Sequence, residues 1–576
     1  MMTVLSLRHA LPAAVAIALT AATTHAAPAS IANVAQFSQL RYQSDDPQAQ
    51  APGPGQYENP ILPGFYSDPS ITRVGDTYYL INSTFAYFPG IPVFQSKDLV
   101  DWRQIGDAIN RPDQLDFSGL GTSRGVFAPD ISFKDGVFYI VNTCVDCRGN
   151  FLITATDPAG PWSDPIWLNI DGIDPSLFHD DDGKSYLVNN GSPEGTPLYE
   201  GHRAIWVQQF DLKTRTLVGP RNQIVNGGVD ITKHPQWIEG PHILKRDGVY
   251  YLIAAEGGTG EDHSEVVFRA TTPLGPYQPY SDNPILTQRD LDPNRPRPVT
   301  SSGHADLVQT AAGAWWAVFL ATQPYAPGLY NTGRETFLAP VIWKDGWPII
   351  LKHGQSVPLI APRPDLPGAA LPGPPSNRLT RDGYGDKTQS LEWMGVRTPT
   401  TPFLKVIDPD HISLAALPQP IGDTRSHPSF IGLRQRHVDA SFSARMAFQP
   451  RADGDEAGLM VLQNDAAYLF CGLAQRDGQT EVIAARRSAA TDPRDGVILA
   501  AYPVDAVRAK ALKLIVTVNG GKLGCQYAVT GSAAVSVLTD ADATFLSTEK
   551  AGGFVGSLMG VYALSADFAA NVSPSK

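Results

Sequence analysis

Three acidic residues stand at matching places in the chain. Asp68 opens Asp68-Pro69-Ser70-Ile71, Asp174 opens Asp174-Pro175-Ser176-Leu177-Phe178, and Glu239 sits inside Trp237-Ile238-Glu239-Gly240-Pro241-His242. Carboxyl groups that converge on one pocket cannot all ionise cheaply. Their pKa values are driven apart, which is the condition for general acid–base chemistry. Glu239 has the longer arm and the apolar neighbours Trp237, Ile238 and Pro241, so it is expected to stay protonated near neutrality and to act as an acid. Asp68, beside Ser67 and Ser70, is expected to stay ionised and to act as a base. Taken singly, an Asp before Pro or at a turn more often bonds nearby backbone. Convergence is therefore what the rest of the chain has to supply.

The elements that follow these residues repeat. After each acid come a short apolar strand, a Gly-containing turn and an aromatic strand. The turns lie at Gly75, Gly136, Gly183, Gly248 and Gly313, spaced by 61, 47, 65 and 65 residues. Asp130 and Asp306 open the two copies not yet mentioned. A tight turn with a Gly between apolar runs is a strong hairpin signal. Five hairpins at this period predict an all-β fold, a five-bladed β-propeller, with equivalent positions of each first strand facing one axis. Asp130 and Asp306 are expected to be structural.

Length and composition fit that reading. A chain of 576 residues suits two or three domains. Scarce helix patterning, 52 Gly and 49 Pro give an all-β profile. A formal charge of −12 without a Lys/Arg run argues against nucleic acid or an anionic membrane as partner. Residues 1–26 read as a signal peptide, with Arg8, an apolar stretch from Ala10 to about Ala22, and the small residues of Thr24-His25-Ala26. A periplasmic or extracellular location is the expectation. Residues 27–56 read as a flexible leader, 57–352 as the propeller, and 353–376 as a Pro-rich linker. Residues 377–576, with alternating runs such as Leu512–Val518, read as a β-sandwich. Cys144-Val-Asp-Cys147 is a lone CxxC, read as a short-loop disulfide or two thiols rather than zinc. Cys471 and Cys525 are candidates for a bridge between strands of the last domain.

Phe85, Tyr87, Phe88 and Phe127 are candidate walls of the pocket. Aromatic faces stack on sugar rings, and an acid facing a base suits hydrolysis of a glycosidic bond. At this point a resemblance enters. Asn59 to Ser70, Phe85-Ala-Tyr-Phe-Pro-Gly90 and Ser96-Lys-Asp-Leu-Val-Asp-Trp102 resemble the opening of a family 43 glycoside hydrolase of the β-xylosidase type. Gly172 to Phe178, Ile238 to Pro241, Ala255-Glu-Gly-Gly-Thr259 with His263-Ser264, Gly303 to Asp306 and Gly333 to Thr336 are similar to its later motifs, in the same order. Phe430 to Arg436 and Glu456 to Leu459 resemble the concanavalin-like sandwich that follows many such domains.

The resemblance implies a five-bladed propeller that hydrolyses with inversion. It makes Asp68 the base, Glu239 the acid and Asp174 the carboxylate that orients the acid and tunes its pKa. It places Arg334 and His304 near the pocket, and Thr259 where its hydroxyl can meet either a sugar or its own loop. One departure stands out: many relatives carry Trp before Ala-Pro in the second blade, where this chain has Phe127. The choice between β-xylose and α-L-arabinofuranose as the sugar removed from a pentose-containing oligosaccharide or polysaccharide is thereby open. A reading of another class is a non-catalytic carbohydrate-binding protein. A fructan-cleaving propeller is weaker, because no Asn-Asp-Pro-Asn segment occurs at the first blade. The chemistry needs no cofactor or metal; calcium near the axis, with His304 as a neighbour, is what some relatives hold.

Overall fold

The computed structural model describes residues 33–366, 378–505 and 511–566. Residues 1–26, read as a signal peptide, lie outside the described residues, as does the segment 367–376 of the Pro-rich stretch. No described helix is long and apolar enough to cross a membrane.

Five antiparallel sheets follow one another along the chain. Their innermost strands are Ser70–Val74, Asp130–Lys134, Ile173–His179, Glu239–Arg246 and Thr300–Gln309. Each pairs with the next strand in sequence, and each sheet has four strands on its main path, with 130–134 of the second sheet pairing beside that path. We call these sheets blades 1 to 5. All five hairpin glycines adopt positive φ, the conformation that the tight turn demands.

A separate apolar core fills each gap between neighbours. Ile81, Val93, Ile131 and Ile153 join blades 1 and 2. Val141, Leu152, Leu177 and Leu187 join blades 2 and 3. Val188, Val207, Leu252 and Val266 join blades 3 and 4, and Ile253, Val267, Leu307 and Phe319 join 4 and 5. The ring closes through Ile71, Leu80, Val318 and Leu338. Because both faces of a blade are buried, its strands carry apolar residues on both sides rather than alternating.

Polar bonds staple the inner ends. Asp306 accepts from Ile71 N at 2.8 Å and Ser70 Oγ at 3.0 Å, and Asp130 accepts from Leu177 N at 2.9 Å. Glu265 accepts from Ala305 N at 2.9 Å, and Ser176 Oγ donates to Pro241 O. The first and last blades are further tied by Asn59, which bonds both Leu338 N and Leu338 O, and by pairing of 56–58 with 360–362.

The second unit of architecture is a sandwich of two sheets around one core. The expectation of a flexible leader fails here. Asn33–Asp45 is a 13-residue strand in the middle of one sandwich sheet, between 411–416 and 439–447. Its Ala35, Phe37, Leu40 and Tyr42 are buried. The Gln and Ser residues between them face outward, so the polar composition reflects alternation with period two, broken once at Gln39. The stretch read as linker also contributes a short strand, Ile360–Pro362, to the propeller. Cys471 and Cys525 form a disulfide between the two sheets of the sandwich, and Cys144 and Cys147 form one within blade 2.

The outer face of the other sandwich sheet packs on the propeller. Met460, Phe470, Ile483 and Tyr562 meet Phe65, Phe85 and Tyr87 in one cluster. Arg397, fully buried, ties the halves: its N–H donates to Ala86 O at 2.8 Å, Nε donates to Leu120 O at 2.8 Å, and its guanidinium pairs with Asp465.

Candidate active site

Each acid is aimed by a local irregularity. Asp68 and Asp174 have φ of +52° and +54°, as does His304 at +53°. Left-handed backbone is uncommon for non-glycine residues, and Asp and His tolerate it best. Pairing slips beside Asp174, between Glu239 and His242, and on both sides of Gly303. Such bulges re-aim side chains. The inner strands therefore turn these residues out of the regular ladder and into the space around the axis.

Arg334 is the hub. Its Nη1 donates to Asp68 Oδ1 at 2.9 Å and to Thr259 Oγ1 at 3.1 Å, and its Nη2 lies 3.4 Å from Asp68 Oδ2. Ser83 Oγ donates to the same Asp68 oxygen. Burial alone would raise the Asp68 pKa, but the charges of Arg334 and His304 and the Ser83 hydroxyl outweigh it and hold this carboxyl below the usual range.

Across the site, Asp174 Oδ2 accepts from Gly240 N at 3.2 Å and lies 3.8 Å from His304 Nε2. Gly240 is required: a Cβ there would sit 2.7 Å from His304 Nε2. Glu239 is pushed up to about 8, by burial first and then by the negative charges of Asp174 and Asp68, against His304 and Arg334. Burial opposes the charge on His304. Asp174, Asp68 and Glu239 nevertheless raise it to about 9, so the imidazolium persists at neutral pH. One carboxyl held charged and one held neutral, both under the influence of His304 and Arg334, form an acid–base pair.

The aromatic wall differs in part from expectation. Phe85 and Phe127 meet edge to face at 5.6 Å, and the Arg334 guanidinium lies 5.8 Å from the Phe85 ring. Phe85 and Tyr87, however, are both buried in the core between propeller and sandwich, so Phe85 backs Arg334 rather than lining open space, and Phe88 packs against the core of blades 1 and 2. The apolar Tyr87-Phe88 run follows the strand because that interface needs it. The other wall residue comes from the sandwich: Phe554 stacks on Phe85 at 6.0 Å and stands 5.4 Å from Arg334. Sequence reasoning missed Phe554, which lies far beyond the linker in no motif of its own. It also missed Ser83, an ordinary strand-end serine.

All eight candidates, Asp68, Asp174, Glu239, Phe85, Phe127, Thr259, His304 and Arg334, thus belong to one connected cluster. Asp130 and Asp306 are grouped with His242, whose Nδ1 is 3.4 Å from Asp130 and 3.7 Å from Asp306. Among the described residues these three form the group whose donor atoms are close enough to hold a metal ion. They fit calcium poorly. Calcium takes six to eight oxygen ligands, whereas this trio offers two carboxylates already bonded to backbone and an imidazole. Burial opposes the charge on His242, but Asp306 and Asp130 outweigh it and raise its pKa above the ordinary imidazole value. No chemical step is assigned to a cation here. A cleft of about 1460 Å3 lies at the outer side of blade 1, lined by residues such as Trp102, Arg363 and Arg436, and none of the site carboxyls borders it.

Comparison with known proteins agrees with this geometry. Residues 57–348 match the model for glycosyl hydrolases family 43, and residues 381–572 match the beta xylosidase C-terminal concanavalin A-like domain. A xylosidase/arabinosidase of Butyrivibrio fibrisolvens is 38% identical over 514 residues, covering 88% of this chain and 95% of the relative. A non-reducing end alpha-L-arabinofuranosidase of Bacteroides ovatus is 35% identical, covering 90% and 93%. Among solved structures, a xylan beta-1,4-xylosidase from Bacillus halodurans superposes with a TM-score of 0.80 at 31% identity, covering 89% of this chain and 97% of that one. With the fold, the paired carboxyls and these matches together, the chain belongs to glycosyl hydrolases family 43 and is a glycoside hydrolase built as a β-propeller followed by a β-sandwich.

Proposed function

We propose that this enzyme is an exported, inverting exo-glycosidase that removes terminal β-xylosyl residues from xylo-oligosaccharides or xylan side chains. In this reading Asp68 takes a proton from water as the water oxygen bonds to the anomeric carbon. Glu239 gives its proton to the glycosidic oxygen as the old bond breaks, and the free sugar leaves with inverted configuration. Asp174 keeps Glu239 protonated by its charge, and its bond to Gly240 N sets where the acid stands. The observation that carries the proposal is the opposite displacement of two carboxyls that feel each other's charge in one site, Asp68 below its usual pKa and Glu239 up to about 8. Phe127 and Phe554, partly exposed and edge to face at 5.7 Å beside Arg334, support a closed end that admits a single terminal sugar. Two disulfides suit an oxidising compartment, as the N-terminal pattern does.

A second reading, α-L-arabinofuranosidase activity on arabinoxylan or arabinan, is left open by Phe127 and supported by relatives named for that activity. Aryl β-xyloside and aryl α-L-arabinofuranoside compared at equal concentration separate the two. A kcat/KM at least tenfold higher on the xyloside supports the first reading, and the reverse ratio the second. NMR of the first-formed anomer tests the base: a retained anomer would remove Asp68 from that role.

A further inference from the structure

Trp237 stands two residues before Glu239 with φ of +52°, the same left-handed conformation as Asp68, Phe85, Asp174 and His304. For a bulky side chain that conformation is an outlier, and outliers of this kind gather where geometry serves a site. The strain is held by neighbours. Trp237 N donates to Gly201 O at 2.9 Å, and Gly257 N donates to Gln236 O at 2.8 Å.

The indole is fixed in direction. A Cβ on Gly201 would approach its Nε1 to 3.3 Å, and one on Gly258 would approach its Cδ1 to 3.3 Å, so the pyrrole edge fits between two glycines. The Arg203 guanidinium covers one face at 4.5 Å from the ring centroid. Trp237 is nevertheless 38% exposed, and Gln236 beside it is only partly so. With one face covered and one edge enclosed, the exposure falls on the other face and the benzo edge. A large aromatic surface held rigid in solvent has no role in the core, which ends at the fully buried Ile238.

Its position relates it to the chemistry. Gly258 leads into Thr259, which accepts from Arg334, the residue that holds Asp68. Trp237 therefore borders the site, two residues before Glu239 in the chain and beside the Gly258–Thr259 turn. The acid delivers its proton to the departing oxygen, so the sugar that departs lies beside Glu239. We infer that Trp237, backed by Arg203, is the stacking platform for the first sugar ring of the leaving chain, and so a specificity-determining residue for oligosaccharides over short-aglycone glycosides. The inference rests on Glu239 being the general acid.

The test uses the full chain and two substrates with the same terminal pentose, whichever the wild type cleaves: a disaccharide and the methyl glycoside. Losing one stacked face changes the ratio of their kcat/KM values by roughly five- to tenfold. For Trp237→Ala the ratio, disaccharide over methyl glycoside, is expected to fall by that amount through a higher KM. Trp237→Phe, which keeps an aromatic face and guards against a folding defect, is expected to keep at least half the ratio. An unchanged ratio in Trp237→Ala overturns the platform while leaving the hydrolase reading intact. A ratio that falls as far in Trp237→Phe as in Trp237→Ala assigns Trp237 a purely structural part and overturns it too. Wild-type protein that cleaves neither substrate overturns the acid assignment, and the platform with it.

Discussion

At the scale of single residues, the site works by holding two carboxyls in opposite states. Glu239 at about 8 must keep its proton and Asp68 must lose its own, so activity is expected on a plateau that ends where Glu239 ionises. The basic limb of kcat/KM should therefore fall as pH rises through about 8. Asp174→Asn removes a negative charge that raises Glu239 but keeps an oxygen for Gly240 N. The limb should then move toward lower pH by about one unit. The pH–rate profile of the variant beside wild type checks this, and an unmoved limb would take the tuning role from Asp174. The sign for stability is separate. Because the folded-state pKa of Glu239 is raised, its favourable contribution is complete below about 4.5 and is lost as pH rises through about 8. The protein gives up some stability to keep an acid protonated.

At the scale of elements, the positions of Asp68, Asp174 and Glu239 were legible because each precedes a hairpin whose turn glycine is compulsory. The apolar neighbours of Glu239 also announced its raised pKa. The bulges that aim the acids left no such mark, since one extra residue in a strand changes no composition. Tyr87 and Phe554 were misjudged and missed for one reason: the aromatic wall is assembled across two domains, and pattern within one strand does not say which neighbour will cover it. The segment Tyr87–Phe88 pairs with Gly395–Val396 of the sandwich side, and Arg397 holds the preceding Ala86 carbonyl. Arg397→Met leaves Asp465 without its ion-pair partner, holding only the Thr122 N–H, and should cost about 3–5 kcal/mol. Adding Asp465→Leu should recover a large part of that loss in a chemical denaturation series, because the cost lies in the stranded charge. If the double variant is as unstable as the single, the backbone bonds of Arg397, rather than the ion pair, hold the interface.

At the scale of the molecule, the chain closes on itself twice. The propeller ring is tied where 56–58 meets 360–362, and the sandwich is completed by a strand from the far N-terminal side of the propeller. The sequence divides cleanly into a propeller stretch and a sandwich stretch, yet the fold does not respect that order. A polar, Gln-rich segment resembles a tether unless its period of two is noticed, and a single strand is too short for period alone to outweigh composition. Deleting residues 33–45 separates the two descriptions. A tether could be removed without effect on the enzyme. A central strand cannot: its loss would leave 411–416 and 439–447 without their shared partner and expose the apolar face that Phe37, Leu40 and Tyr42 cover. The sandwich sheet that touches the propeller would then lose the layer behind it, and with it the fixed position of Phe554 over Phe85 and Arg334. The deleted chain is expected to be largely insoluble, or to unfold at a midpoint lowered by many degrees, with activity lost in proportion. Calorimetry and turnover on the preferred aryl glycoside provide the check. A deletion variant with unchanged midpoint and turnover would show that the catalytic pocket stands without the sandwich's support.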